Sequence, residues 1–335
     1  MATIGDVARE AGVSRSTVSS VLTGRKLVTP PTRQKIEAAI EKLNFSVNAG
    51  ARALATSRTM SIGVVVRFHE AEFGPALATY LVDLSDAARG YGYSIVLLTE
   101  ADGVAAVRRM IAGRQVDGLI LLSLVNGDPR LEPIASAGFP AVLIGMPQDT
   151  MSIDAVDLDF AAGARMLVDH LVDAGHDDAT FVQWPVELYE SGATYAVRFA
   201  DAARKRAVDR GLHLVEQPLP VEPELVRRDL AELVSDPRKP RAMLVHNDTA
   251  AAMLPFVLHE RGLRIPGDRS VVSLHSAELA QLFALDVTSV ASEPLAVSQV
   301  AVDLLMRRLN APGAPAESRL IEPSLILRGS VARPT

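Results

Sequence analysis

The sequence predicts two architectures in one chain: a small all-α helix-turn-helix headpiece, then an α/β body of two parallel-sheet βαβ subdomains. Three observations carry this expectation. Apolar residues recur at helical spacing through the first 45 positions. From residue 61 onward, short apolar runs alternate with amphipathic stretches, as strands alternate with the helices that cover them. The charge divides at the same place. Residues 1–60 hold nine lysines or arginines and four acidic residues, a net of +5, so the chain total of −6 leaves −11 on the remainder. A length of 335 residues suits two domains with a small extra module, and 48% hydrophobic residues can fill a sizeable core.

In the headpiece, Thr3 can cap a first helix whose apolar positions are Ile4, Val7, Ala8 and Ala11, with Gly12 ending it. Ser14 can cap a second helix that turns Val18, Val21 and Leu22 inward. Two short helices joined by a glycine-containing turn make a helix-turn-helix. The outward side of the second helix is small and polar, with a long cation at its start. Such a helix can enter a major groove, where Arg15 can bind guanine bidentately and Ser16 and Ser20 can bond base edges. Ser14, Thr17 and Ser19 suit phosphates instead. A third helix follows Thr29-Pro30-Pro31, a cap with proline in the first turn, and faces Ile36, Ala39, Ile40 and Leu43 inward.

The run from Thr3 to Gly24, continued by Val28-Thr29, Thr32-Arg33 and Ala38-Ala39-Ile40, resembles the headpiece of the LacI/GalR family of bacterial transcription regulators. Asn48-Ala-Gly-Ala-Arg-Ala-Leu54 resembles that family's hinge helix, and weaker similarity extends over nearly all the rest. The headpiece is accordingly assigned to residues 1–46, the hinge and linker to 47–60, and an effector-binding and dimerisation body to 61–335. Within the body, one subdomain takes about 61–159 and 291–320, the other about 160–290 and 321–335. The hinge is about two turns long, too short to hold as an isolated helix in water, and Gly50 weakens it further. The resemblance implies that Asn48, Ala51, Arg52 and Leu54 meet the minor groove, with Leu54 wedging between base pairs. Val47 stands where the family usually has proline, and Ser20 where it commonly has arginine, which implies a looser hinge and an altered half-site.

In the body, the expected strands are Ile62–Val66, Ser94–Leu98, Gly118–Leu122, Ala141–Ile144, Thr180–Val182, Ala242–Val245, Val271–Leu274 and Leu325–Arg328. The expected helices are Leu77–Ala88, Val104–Ile111, Ala161–Ala174, Tyr195–Arg210, Thr249–Arg261 and Leu295–Leu309. The resemblance implies a periplasmic-binding-protein-like body in which the chain crosses three times between subdomains and a small molecule binds in the cleft. A site at the carboxyl ends of parallel strands is expected on general grounds as well.

Catalytic chemistry is not indicated. The chain has neither a G-x-G-x-x-G nor a P-loop, and Gly90-Tyr-Gly92 precedes a strand where a nucleotide loop would follow one. His259-Glu260 lacks the second histidine of a zinc helix, and no G-x-S-x-G elbow occurs. The absence of cysteine excludes disulfides, thiolate metal sites and a cysteine nucleophile, and fits a reducing cytoplasm. No catalytic residue, metal or cofactor is expected. A solute-binding or enzymatic body with a vestigial head is the competing class. The first residues do not read as a signal peptide, and runs such as Gly118–Leu122 are too short to cross a bilayer, so no membrane association is expected.

For the effector, the resemblance implies that Asn247, in Asn247-Asp248, reaches the ligand, and it places Asp159 on a family-like motif that is equally a helix cap. Two other positions depart from the family. His275 stands where a carboxylate is usual, and Tyr195 where an arginine is usual. Both charge-assisted contacts are thereby lost, which argues against an ordinary hexose or nucleobase. Three readings stay open: a less polar ligand walled by Phe68, Trp184, Tyr195 and His275; an anion held by protonated His275; or no ligand at all. The partners expected are a palindromic double-stranded DNA operator, a non-standard small-molecule effector and a second copy of the chain, since a palindrome is read by a dimer. No heptad tail follows residue 328, so a C-terminal coiled coil is not expected.

Overall fold

The structure, a computed structural model, describes residues 2–23, 28–45, 58–67, 74–100, 102–275, 277–283 and 286–334. The chain forms two compact units. One comprises Met1–Ser61 with Arg114–Asp117, the other Ile62–Gly113 with Gly118–Thr335.

The first unit holds α1 (Ile4–Ala11), α2 (Arg15–Thr23) and α3 (Pro30–Lys42). Thr3 and Asp6 close a capping box at the start of α1. The Asp6 amide donates to Thr3 Oγ1 at 3.3 Å and the Thr3 amide to Asp6 Oδ2 at 2.9 Å. Gly12 ends the helix at φ 66°, a left-handed conformation that glycine adopts without Cβ strain. Thr29 precedes α3 as expected, but its hydroxyl shares a 2.9 Å hydrogen bond with Thr32 Oγ1 and caps no amide. Pro30 at the first position gives the start its fixed φ. Val7, Ala8, Ala11, Val18, Ile36 and Ala39 form the buried centre, with Val21, Leu22, Ile40 and Leu43 packed around it.

The second unit begins as βαβ repeats: β1 (Ser61–Val65), α4 (Gly74–Gly90), β2 (Ser94–Leu98), α5 (Gly103–Gly113), β3 (Gly118–Leu121), α6 (Leu131–Ala137), β4 (Ala141–Ile144) and β5 (Asp154–Leu158). The second run is α7 (Phe160–Asp173), β6 (Asp178–Gln183), α8 (Val186–Glu190), α9 (Thr194–Arg210), β7 (His213–Pro218), α10 (Pro223–Ser235), β8 (Ala242–Val245), α11 (Asp248–Glu260), β9 (Ser270–His275), α12 (Ala277–Leu282) and β10 (Thr288–Ala291). The chain then returns through α13 (Pro294–Asn310) to β11 (Ser318–Ile321) and ends with β12 (Leu325–Ile326). Two six-stranded sheets result, in the orders β11-β5-β4-β3-β1-β2 and β12-β10-β9-β8-β6-β7. The chain therefore passes between sheets three times, after β5, β10 and β11. β3 runs parallel to β1 and β4, and β8 parallel to β6 and β9, whereas β12 is antiparallel to β10.

The central parallel strands are buried on both faces, which is why they read as continuous apolar runs: β3, β4 and β8 are buried at every position. The return of α13 is fastened by one carboxylate. Asp154, fully buried, accepts from Arg307 at 3.0 Å, from Arg308 at 2.8 and 3.0 Å, and from the Glu317 amide at 2.8 Å. Helix α13, strand β5 and the start of β11 thus share a single charged knot.

Candidate functional site

Two sites emerge, one in each unit. On α2 the Thr17 amide donates to Ser14 Oγ at 3.1 Å, so Ser14 caps the helix. Ser14 Oγ also shares hydrogen bonds with Ser16 Oγ at 2.7 Å and Thr17 Oγ1 at 2.8 Å. Ser20 donates back to the Ser16 carbonyl at 2.8 Å. Arg15 and Ser16 are exposed, whereas Thr17, Ser19 and Ser20 are half-buried. The Arg15 side chain lies over α1, close enough that a Cβ at Gly5 would meet its guanidinium at 2.8 Å. Three ion pairs lie elsewhere in this unit: Arg9 with Asp6 at 3.2 Å, Arg33 with Glu37 at 3.4 Å, and Lys42 with Glu10 at 2.6 Å. Among the described residues Arg15 and Lys35 are in no ion pair, so the unit's excess positive charge is carried partly at the tip of α2.

Asn48, Ala51, Arg52 and Leu54 lie outside the described residues, as does Phe68. The end of the linker is fixed by a residue that sequence reasoning passed over. Asp117 accepts from the Thr59 amide at 2.6 Å, the Thr59 hydroxyl at 2.9 Å and the Met60 amide at 3.0 Å.

The second site is a cavity of about 150 Å³ at the carboxyl ends of the parallel strands of both sheets. Ser123 follows β3, Gly145 follows β4, Asp157 lies on β5, Trp184 follows β6, His246 follows β8, and His275 ends β9. Gly145 sits at φ 137°, and a Cβ there would come within 3.1 Å of Leu124, so only glycine lets this wall close up. The turn carrying Ser123 is held by a buried pair, Arg130 and Asp128. Arg130 donates to the Leu122 and Ser123 carbonyls, each at 3.0 Å, and to Asp128 Oδ2 at 2.7 Å. Burial works to raise the Asp128 carboxyl, but Arg130 holds it below the usual carboxylate value.

Of the effector residues read from the sequence, Trp184, Tyr195 and His275 are brought together on the cavity wall. Asp159 and Asn247 are not. Asp159 caps α7 by accepting from the Ala162 amide at 2.9 Å. Asn247, fully buried, caps α11 through Oδ1 and donates from Nδ2 to the carbonyls of Gln183, Leu219 and Pro220 at 3.1–3.2 Å. Both residues cap helices that leave strand ends, and neither side chain is on the cavity wall, where the resemblance implied that Asn247 reaches the ligand. Backbone alternation explains the displacement. Asn247 is in extended conformation, so its neighbours His246 and Asp248 face the cavity in its place.

His246 stacks on Phe199 with ring centroids 3.9 Å apart and joins Phe160, Trp184 and Tyr195 in a cluster of rings about 6 Å apart. Burial lowers His246 to about 3. Burial, then the Arg328 charge, lower His275 to about 4. Both imidazoles are neutral near pH 7, so the anion reading lacks its cation. His275 Nδ1 shares a 2.6 Å hydrogen bond with Ser273 Oγ. His275 Nε2, His246 Nδ1 and Trp184 Nε1 are buried without a partner among the described residues. Two carboxyls missed by sequence reasoning also line the cavity. Burial pushes Asp248 up to about 7, and Asp157 to about 7 against the pull of Arg198, whose Nη1 donates to it at 2.6 Å. Burial and these two carboxylates push the Tyr80 phenol well up as well. Among the described residues, no group of three or more histidine, aspartate or glutamate side chains is placed to hold a metal, and no helix is long and apolar enough to cross a membrane.

Residues 3–48 match the bacterial regulatory proteins of the lacI family, and residues 168–331 match a periplasmic binding protein-like domain. Catabolite control protein A of Priestia megaterium is 30% identical over 312 residues, covering 92% of each chain. The HTH-type transcriptional repressor PurR of Edwardsiella ictaluri (strain 93-146) is 28% identical over 339 residues, covering 99% of this chain and 97% of that one. The solved structure of the lac repressor dimer bound to operator and an anti-inducer aligns over 99% of both chains, with a TM-score of 0.82 at 26% identity.

Proposed function

The chain belongs to the LacI family of bacterial regulatory proteins, DNA-binding transcription regulators with an effector-binding body, and we propose that it is a repressor that binds a palindromic operator as a homodimer. The observation that carries this reading is the exposed polar face of α2 with Arg15 at its tip, on a unit whose net charge is opposite to that of the body. In this reading Arg15, Ser16 and Ser20 read base edges, Ser14, Thr17 and Ser19 hold phosphates, and the hinge within 47–60 places Leu54 in the minor groove with Asn48, Ala51 and Arg52 beside it. The acidic body is repelled by phosphate, which leaves the head as the DNA-binding surface. The protein acts where the DNA is, in the cytoplasm, and transforms no substrate.

The body cavity is the effector site, with Trp184, Tyr195 and His275 as walls, Phe68 as a further wall, and Asp159 and Asn247 holding the strand ends in place. Its volume, about 150 Å³, is that of a site which holds benzene, so the effector is smaller than a disaccharide.

The test is selection of bound sites from random DNA, then fluorescence anisotropy of the selected duplex across a salt series. The expected result is a palindrome that differs from the family's usual half-site at the position facing Ser20. Log affinity should fall with log salt by about 0.9 per phosphate contacted. Arg15→Ala should relax the choice at one base pair, and Leu54→Ala should weaken specific binding at least about tenfold, the loss of a kinked step. Selection that returns no preferred sequence overturns the reading.

A further inference from the structure

We propose that the effector is a small organic ammonium ion, recognised by the aromatic wall of the cavity together with the Asp248 carboxylate. This rests on the reading of the cavity as the effector site. Among the described residues, no lysine or arginine lines the cavity, whereas two carboxyls do. They are not equivalent. Asp157 is bonded to Arg198 at 2.6 Å, but Asp248 has no hydrogen bond or ion pair among the described residues. When ionised, Asp248 therefore gives the cavity a negative charge with no cationic partner among the described residues.

The rest of the wall favours a cation over a neutral polyol. Phe160, Trp184 and Tyr195 supply aromatic rings, which attract a desolvated cation, and Tyr80 adds a fourth. The two imidazoles that could have repelled a cation are held neutral by burial. Three buried polar atoms on wall residues, Trp184 Nε1, His246 Nδ1 and His275 Nε2, have no partner among the described residues, so the site is built for a guest carrying its own polar groups. Trp184 Nε1 can only donate, which points to an oxygen on the ligand beside its ammonium group. A cavity of about 150 Å³ admits six or seven heavy atoms, the size of an amino alcohol.

The test compares choline, tetramethylammonium and ethanolamine with 3,3-dimethylbutan-1-ol, the neutral isostere of choline, and pivalate, an anion of similar shape. Trp184, the only tryptophan, reports directly from the wall, and thermal shift of the full-length protein gives a second readout. The expected result is that at least one ammonium ion changes Trp184 emission and raises the melting temperature. The neutral isostere should bind at least about tenfold more weakly and pivalate not at all. Affinity for the ammonium ion should rise with pH until Asp248 is ionised, near 7, and then level off. Of the other groups on this wall, Tyr80 stays protonated and His246 and His275 stay neutral over that range. Asp157 titrates in it, so the profile is compared with that of Asp248→Asn. In Asp248→Asn, which thermal unfolding should show to be folded, the tenfold preference for the cation over its isostere should vanish. Equal or tighter binding of the isostere or of pivalate, with a Trp184 signal, overturns the cation but leaves the effector site standing. No Trp184 signal from any of these probes, or from sugars and nucleobases, overturns both.

Discussion

The reading face of the head and the wall of the cavity satisfy their polar groups in opposite ways. On α2, the hydroxyls of Ser14, Ser16, Thr17 and Ser20 all find partners within one helical turn and remain near water. Such bonds are worth little net and exchange readily for bonds to DNA. Around the cavity, Trp184, His246 and His275 each leave a buried ring nitrogen without a partner among the described residues, and burial alone shifts the Asp248 carboxyl. An unsatisfied buried group costs about 1–3 kcal/mol. A surface that binds by exchanging partners can thus be assembled from one short segment at little cost to stability. A cavity that binds by supplying missing partners carries a standing cost, which the surrounding core must cover.

That core is where the largest effect is expected. Asp154→Ala leaves Arg307 and Arg308 facing each other without their shared carboxylate. Removing one partner of a buried ion pair costs about 3–5 kcal/mol. Calorimetry should show the body transition lowered by about 5–10 degrees while α1–α3 still melt as before; a body that is unmoved would mean that α13 is held by packing alone. Next in size is Ile36→Ala. Ile36 is fully buried in a core that has six buried residues among those described, so about 2–5 kcal/mol is a large share of what holds the three helices. Operator binding should be lost, with Trp184 emission and the body transition unchanged. A parallel loss in the body would break the separation between the two regions.

How much was legible in the sequence follows the same division. The three head helices were readable because their signals are local: the Thr3 cap, Gly12, and Val18 with its helical neighbours each sit within a few residues of the helix they mark. Strands β4 and β8 were expected at their observed bounds, since buried parallel strands are unbroken apolar runs, and so was β2, an apolar run that lies largely exposed at a sheet edge. Strand β5 (Asp154–Leu158) was not foreseen, because Asp154 and Asp157 interrupt the run, and both are paid for by arginines far along the chain. Strand β7 (His213–Pro218), an exposed edge with alternating polar residues, and the proline-led helix α10 (Pro223–Ser235) were also absent from the expectation. At the cavity, resemblance to relatives drew attention to Asn247. The side chains that face the space, His246 and Asp248, are fixed by where the chain leaves β8, which no local spacing reveals.

The standing cost of the cavity can be measured at Asp248. Its folded value of about 7 lies above that of an unfolded aspartate, about 3.9, so the folded state holds the proton more tightly. The protonated group is tolerated below pH 4, and stability falls as pH rises from there through 7. Above pH 8 the whole cost is present. Asp248→Asn cannot ionise, so it should be more stable than the parent by about 2–4 kcal/mol at pH 8, at about 1.4 kcal/mol per pKa unit, and equal to it at pH 4. The histidines act in the other sense. His246 and His275, lowered to about 3 and about 4, contribute stability that is complete above about 6.5 and lost as pH falls through those values. A melting difference between Asp248→Asn and parent that does not change with pH would show that the carboxyl is solvated.

The smallest expected effect bears on the exposed half of the comparison. Thr3→Ala removes the hydroxyl that accepts from the Asp6 amide and donates to the Asp6 carboxylate at 2.7 Å. The Thr3 hydroxyl bond is the main reason that the Asp6 carboxyl lies below its usual value, so Asp6 should titrate higher in the variant. Loss of an N-cap costs about 1 kcal/mol, which is about fivefold in an opening equilibrium. Amide exchange in the full-length protein should therefore quicken about fivefold at Val7 and Ala8, whose amides lie in α1, and not at Leu119 or Leu244 in the two sheets. Operator affinity should fall only by a similar small factor, because DNA clamps the helix that the cap had held. Exchange that stays the same at Val7 would mean that packing of α1 on Ile36 and Val18 sets its stability and the capping box is incidental. Exchange that rises in the sheets too would mean that the head cannot loosen by itself.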